Sequence, residues 1–144
     1  MTGVGVAAAL LTAILAAIAV VHALWGIGRS FPAADRDSLA LLVIGQRQVP
    51  PPLACFVVAA GVAAMTLLPA LTLGWLRAPP LLARLAEGGC WVAAAVFLVR
   101  GVAGYLPMFE RLFPLEPFHT MNRVAYSPLC LLIGALFVVV ARAR

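Results

Sequence analysis

The chain has 144 residues, of which 65% are hydrophobic and only 10% are charged, and its mean hydropathy is +1.09. Because an ordinary soluble domain carries about 25% charged residues, this composition excludes that class and predicts a membrane protein. The net charge of +5 gives no reason to expect a nucleic-acid partner, since all ten basic residues are arginines and most lie beside apolar runs, where the positive-inside rule places them.

Four apolar runs are each predicted to cross a membrane as a helix, because about 20 residues at 1.5 Å per residue span the hydrocarbon core. They cover approximately residues 4–25, 53–76, 88–106 and 127–141. Pro69 in the second run is expected to kink its helix, since proline has no N–H to donate. The runs and their connections use the whole chain, so we predict one domain over residues 1–144, an all-α integral membrane four-helix bundle.

The first and third connections are long, and each is predicted to contain a short interfacial helix. In the first, residues 39–44 form an apolar run too short to span. In the third, Pro117 is expected to open a helix that reaches Tyr126 and has one apolar face and one polar face. The predicted polar face consists of His119, Asn122, Arg123 and Tyr126.

The fourth apolar run is short for a span. Ser127 is expected to cap its helix, with Pro128 in the first turn. Two alternatives account for the missing length. Either residues 124–126 extend the helix, or the preceding loop dips into the membrane.

Arg100 lies inside the third apolar run. An arginine at the middle of a membrane-spanning helix costs roughly 2.5–3.5 kcal/mol on insertion scales, so such a residue predicts a functional site with a partner. The alternative interpretation is that its long side chain reaches the headgroups, because the predicted helix end is only about six residues away. Both interpretations stay open at the level of sequence.

Four spans would place the long loops on one side of the membrane and the short loop, with both termini, on the other. The candidate pocket residues all fall on the long-loop side: His22, Trp25, Arg100, Glu110, His119, Arg123 and Tyr126. The opposite side is expected to hold Arg77, Arg84, Arg142 and Arg144, nearly unopposed by acidic residues. The arginine distribution therefore favours cytoplasmic termini, and the lack of lysine favours a GC-rich bacterial genome and hence the bacterial inner membrane.

Several segments resemble a known family. Residues 99–105 (Val-Arg-Gly-Val-Ala-Gly-Tyr), residues 118–123 and the Tyr-Ser-Pro-Leu-Cys-Leu run at 126–131 are similar to the bacterial membrane family catalogued as domain of unknown function 3995, and residues 22–28 resemble its His-x-x-Trp-x-x-Gly element. The resemblance covers nearly the whole chain. It implies a four-helix integral membrane protein and no particular activity. It also implies an acidic residue near the position of Asn122 in some members, where this chain has an amide.

The leading functional hypothesis is a polar pocket at the long-loop face, with Arg100 supported by His22, Tyr126 and either Glu110 or Glu116. A guanidinium offers a planar fork of donors that suits an anionic headgroup, a carboxylate or a phosphate. The expected partners are therefore membrane lipid and either an anionic small molecule or another membrane protein. The biochemical activity itself stays unknown.

Two alternatives come from other classes. A structural or assembly subunit would have His22, Arg100 and Tyr126 hydrogen-bonded to one another with no open cavity. A membrane enzyme would use His22 or His119 as a general base, but no nucleophile or metal-ligand set accompanies them, so the sequence leans against catalysis. No cofactor or metal is expected. Haem held by His22 and His119 is the alternative to test.

Overall fold

The computed structural model describes residues 2–143, and all regular secondary structure in that range is helical, with no strand. Four of its helices are long and apolar enough to cross a membrane: Gly3–Gly26, Pro52–Thr72, Pro80–Ala103 and Phe118–Ala141. This confirms the predicted fold class, an all-α bundle of four membrane-spanning helices.

The first long helix, α1 (Gly3–Gly26), leads into the first long loop. Within that loop lies a short helix, α2 (Arg36–Val43), whose amino terminus is capped by Asp35. The Asp35 carboxylate accepts a hydrogen bond of 2.8 Å from the backbone N–H of Ser38, which satisfies one of the free donors of the first turn. The loop therefore contains a short helix that begins a few residues before the predicted apolar run.

The second long helix consists of two pieces, α3 (Pro52–Met65) and α4 (Leu67–Thr72), separated at Thr66. The break lies one turn before Pro69, whose missing N–H leaves the carbonyl of Met65 without its helical donor, as the sequence predicts. The helix ends at Thr72 and not near residue 76 as expected. Gly74, with φ of 72°, takes the left-handed conformation that terminates helices.

The third long helix, α5 (Pro80–Ala103), begins eight residues before the predicted start of the span at residue 88. It ends three residues before the predicted end at residue 106. Pro79 and Pro80 start the helix instead of prolonging the turn, because proline suits a first helical position. Arg100 therefore lies three residues from the last helical residue, closer to the helix end than the sequence suggested. A short helix, α6 (Pro107–Leu112), follows in the third connection.

The fourth long helix is continuous from Phe118 to Ala141. It comprises α7 (Phe118–Met121), a π-helical segment (Asn122–Tyr126) and α8 (Ser127–Ala141). The predicted interfacial helix up to Tyr126 is thus the beginning of this span, and α6 is the short helix of the third connection. The fourth span is therefore not short, because the long helix has 24 residues.

The bundle packs α5 against α8 and α1 against α3 most extensively. Glycines permit the first of these contacts: a Cβ at Gly101 would lie 2.7 Å from the Leu131 side chain, and one at Gly134 would lie 2.7 Å from that of Leu98. Phe137, at the centre of the apolar core, is fully buried. This packing brings the ends of all four long helices that adjoin the long loops to one end of the bundle.

Candidate functional site

A cavity of about 840 Å³ lies at the long-loop end of the bundle. Its wall is formed by the last turns of α1, by four residues between Val43 and Pro50, by the end of α5, by the third connection and by the fourth long helix. Most of the wall is apolar. Four phenyl rings contribute to it: Phe97, Phe109, Phe113 and Phe118.

Arg100 is the one arginine in this wall among the described residues. Its Nη2 donates a hydrogen bond of 2.9 Å to Oδ1 of Asn122, and its guanidinium carbon lies 4.6 Å from the centre of the Phe109 ring. Both contacts favour a cation, the second through the ring quadrupole. The other terminal nitrogen, Nη1, is buried and has no hydrogen-bond partner within residues 2–143.

Asn122 holds Arg100 from the π-helical segment and is only 2% exposed. Its Nδ2 donates a hydrogen bond of 2.7 Å to the carbonyl of Gly104, and its Oδ1 also accepts one of 3.3 Å from the Ser127 hydroxyl. Ser127 is fully buried and does not cap a helix amino terminus, contrary to the sequence prediction, because the fourth helix begins nine residues earlier. The network therefore links the end of α5 to the fourth helix.

Gly104 permits this network by its lack of a side chain. A Cβ there would overlap Ser127 Oγ and would lie 2.8 Å from Arg100 Nη1 and 3.0 Å from Asn122 Nδ2. Any residue with a side chain at position 104 would therefore collide with this network.

Three more of the predicted pocket residues also line the cavity, and each has its own hydrogen-bond partner. His22 Nδ1 donates a hydrogen bond of 2.8 Å to the carbonyl of Ile18. The Trp25 indole N–H donates to the Phe31 carbonyl over 2.7 Å. The Tyr126 hydroxyl donates over 2.9 Å to the carbonyl of Leu42, at the end of α2. None of the three bonds to Arg100.

The other three predicted residues, Glu110, His119 and Arg123, form a separate ion cluster outside the cavity wall. Arg123 Nη1 lies 3.0 Å from Glu110 Oε1, and His119 Nε2 lies 3.9 Å from the same oxygen. His119 Nδ1 lies 3.4 Å from Glu116. The backbone N–H of Thr120, followed by its hydroxyl and by His119, holds the pKa of Glu116 below its ordinary value. Neither glutamate supports Arg100, contrary to the leading hypothesis from sequence.

The π-helical segment explains why the predicted polar face divides. Its wider turn, closed by a bond from the Ser127 N–H to the Asn122 carbonyl, shifts the helical register. Asn122 then points into the bundle, while the Arg123 side chain stays 54% exposed. Sequence reasoning assumed a regular helix and so missed Asn122 as the partner of Arg100. The available signal in the sequence was Asn122 itself, since its amide oxygen can accept a hydrogen bond from an arginine inside an apolar run.

The described residues contain no group of three or more His, Cys, Asp or Glu side chains that could hold a metal ion. Of the two histidines suggested as haem ligands, His22 lines the cavity and His119 lies in the ion cluster. Cys130 also lines the cavity, whereas Cys55 and Cys90 are buried elsewhere.

Comparison with known proteins gives one match. A family profile described as "Protein of unknown function (DUF3995)" matches residues 15–137. No curated protein and no solved structure matches the chain. The matched range includes every residue of the cavity wall and confirms the resemblance carried by the Tyr-Ser-Pro-Leu-Cys run.

Proposed function

The chain belongs to the family of proteins of unknown function DUF3995, and from this premise we propose that it is an integral membrane protein that binds an amphiphile, with the anionic group of the ligand at Arg100. The observation that carries the proposal is the combination of an apolar cavity with one guanidinium in its wall. Ligand sites are commonly lined by apolar and aromatic side chains with a few placed polar groups.

No acidic side chain within residues 2–143 forms an ion pair with Arg100. Its hydrogen-bond partner Asn122 is an uncharged amide, and no aspartate or glutamate among the described residues lines the cavity. A buried charge is favourable only when it is paired and hydrogen-bonded. An anion at Arg100 would supply the missing charge.

The alternative of a closed structural subunit has less support. It requires His22, Arg100 and Tyr126 to bond to one another, and these side chains bond instead to Ile18, Asn122 and Leu42. Haem binding and catalysis gain no specific observation from residues 2–143.

The proposed location is the bacterial inner membrane, with both termini in the cytoplasm. Arg77 and Arg84 flank the short connection and Arg142 follows the last helix, as the positive-inside rule favours for a cytoplasmic face. An impermeant maleimide should label Arg29→Cys from outside intact cells and should label Arg84→Cys only after the membrane is opened. Labelling of both from one side would contradict this topology.

The experiment for the binding proposal compares lipids and small molecules retained by the purified wild-type protein and by Arg100→Gln, using extraction and mass spectrometry. We expect one class of anionic amphiphile to be depleted from Arg100→Gln. Arg123→Gln is the matched control, because this arginine lies at the same end of the bundle, pairs with Glu110 and does not line the cavity. Equal ligand content in all three proteins would refute the proposal.

A further inference from the structure

We infer that the ligand of this cavity is a single-chain amphiphile with one negative charge, of the class of long-chain carboxylates, and not a two-chain phospholipid. The inference rests on the proposed function and adds the number of charges and the number of chains. Charge, depth and volume of the cavity each support it.

One negative charge follows from the cations in the wall. Arg100 is the one arginine that lines the cavity within residues 2–143, and the five arginines of the adjoining loops and helix start lie elsewhere. Asn122 accepts from one of the two Nη2 hydrogens and brings no charge of its own, so the guanidinium offers a single positive charge to the anion. A group with two negative charges would keep one of them unpaired in an apolar site, which is unfavourable.

The depth of the cavity indicates an extended chain. Along α1 the lining runs from Trp25 to Ala17, eight residues or about 12 Å at 1.5 Å per residue. On the opposite wall it runs from Tyr126 to Ile133. Arg100 is in the last turn of α5, at the long-loop end of the cavity, so an anionic group placed there directs an apolar tail toward Ala17 and Ile133.

The volume favours one chain. About 840 Å³ falls within the roughly 300–1,000 Å³ of sites that hold one small ligand. Three of the lining rings also pack against one another, with centroid distances of 4.8 Å for Phe109–Phe113, 5.7 Å for Phe113–Phe118 and 6.4 Å for Phe109–Phe118. These contacts hold the aromatic part of the wall together.

The first test is competition for the delipidated protein in detergent, read by native mass spectrometry. The probes are palmitate, the uncharged hexadecanol and dioleoylphosphatidylglycerol, which has two chains and one negative charge. We expect palmitate to occupy the protein at least about tenfold more than hexadecanol, since a hydrogen bond to a charged group is of that strength. Phosphatidylglycerol should also occupy it less than palmitate, because its second chain needs room in the same cavity. The preference should disappear in Arg100→Gln and persist in Arg123→Gln.

The outcomes separate the two proposals. If phosphatidylglycerol binds as well as palmitate or better, and Arg100→Gln abolishes that binding, the single-chain inference is wrong while the proposed function stands. If hexadecanol equals palmitate, or if no probe depends on Arg100, the proposed function fails as well.

A second variant keeps the inference testable if Arg100→Gln does not fold. Ala17→Leu places a larger side chain at the deep end of the cavity and should shift the preferred carboxylate to a shorter chain, with at least a threefold loss of palmitate binding. Ala16→Leu is the matched control, because Ala16 is exposed like Ala17 but does not line the cavity. An unchanged chain-length preference in Ala17→Leu would overturn the inference.

Discussion

Arg100 and Asn122 are joined by a hydrogen bond of 2.9 Å that connects the third long helix to the fourth. The amide orientation is fixed, since the Gly104 carbonyl can only accept, so Nδ2 faces Gly104 and Oδ1 faces the guanidinium. The pair orients Arg100 without neutralising it. A positive charge is thereby held in place at an apolar cavity, which is the arrangement that an anionic ligand requires.

Asn122→Ala should destabilise the protein by about 1–3 kcal/mol, because it removes the partner of a charged donor and leaves the Gly104 carbonyl without its bond. Equilibrium unfolding in mixed detergent measures the change. Val124→Ala in the same π-helical segment is the control, since Val124 is 63% exposed. Equal stability of the two variants would mean that the amide does not hold Arg100.

Gly104→Ala should destabilise the protein by about 1–3 kcal/mol, as overpacking does, because the added Cβ collides with Ser127 and crowds Arg100. Gly88→Ala, within the helix that Gly104 follows, adds a Cβ with nothing within 4 Å, so it should be neutral or stabilising by up to about 1 kcal/mol. The midpoints of thermal unfolding should therefore move apart. Similar midpoints would argue against the close approach at Gly104.

Tyr126→Phe should loosen the first loop, because the Tyr126 hydroxyl donates to the Leu42 carbonyl across 84 residues of sequence. We expect a loss of about 0.5–1.5 kcal/mol and faster hydrogen exchange in Arg36–Val43. Tyr105→Phe is the comparison, since its bond to the Arg123 carbonyl is exposed and lies outside this loop. Unchanged exchange in Tyr126→Phe would show that the bond does not anchor α2.

Asp35 predicts a pH dependence of α2. The backbone N–H and then the hydroxyl of Ser38 lower the pKa of the Asp35 carboxyl. A folded-state pKa below the unfolded one adds stability that is present above the unfolded value and is lost as the pH falls through the folded value. The protection factors of the amides in the first turn of α2 should therefore fall in the acidic range, below the ordinary aspartate pKa.

Asp35→Asn separates the cap from its titration. Asparagine keeps an oxygen that accepts from the Ser38 N–H but has no carboxyl to protonate. The protection factors of the α2 amides should then be retained at neutral pH and should not change with acid. If the variant shows the same acid dependence as the wild type, another group is responsible.

The sequence by itself determined the class and the number of long helices, because hydrocarbon thickness requires apolar runs of about 20 residues and such runs are local. It also determined that Arg100 is a costly charge needing a partner, and that His22, Trp25 and Tyr126 fall at the same end of the bundle as Arg100. These properties depend on composition, on the length of each run and on the parity of the spans.

Only the tertiary structure decided which groups meet. Asn122 became the partner of Arg100 because a π-helical turn changed the register of the fourth helix, and a period of 3.6 residues does not foresee that change. Glu110 pairs with Arg123 outside the cavity and not with Arg100. Hydrogen bonds between groups 22 and 84 residues apart depend on how the helices pack. Glycines permit that packing, and which glycines do so depends on the side chains that face them in the folded chain.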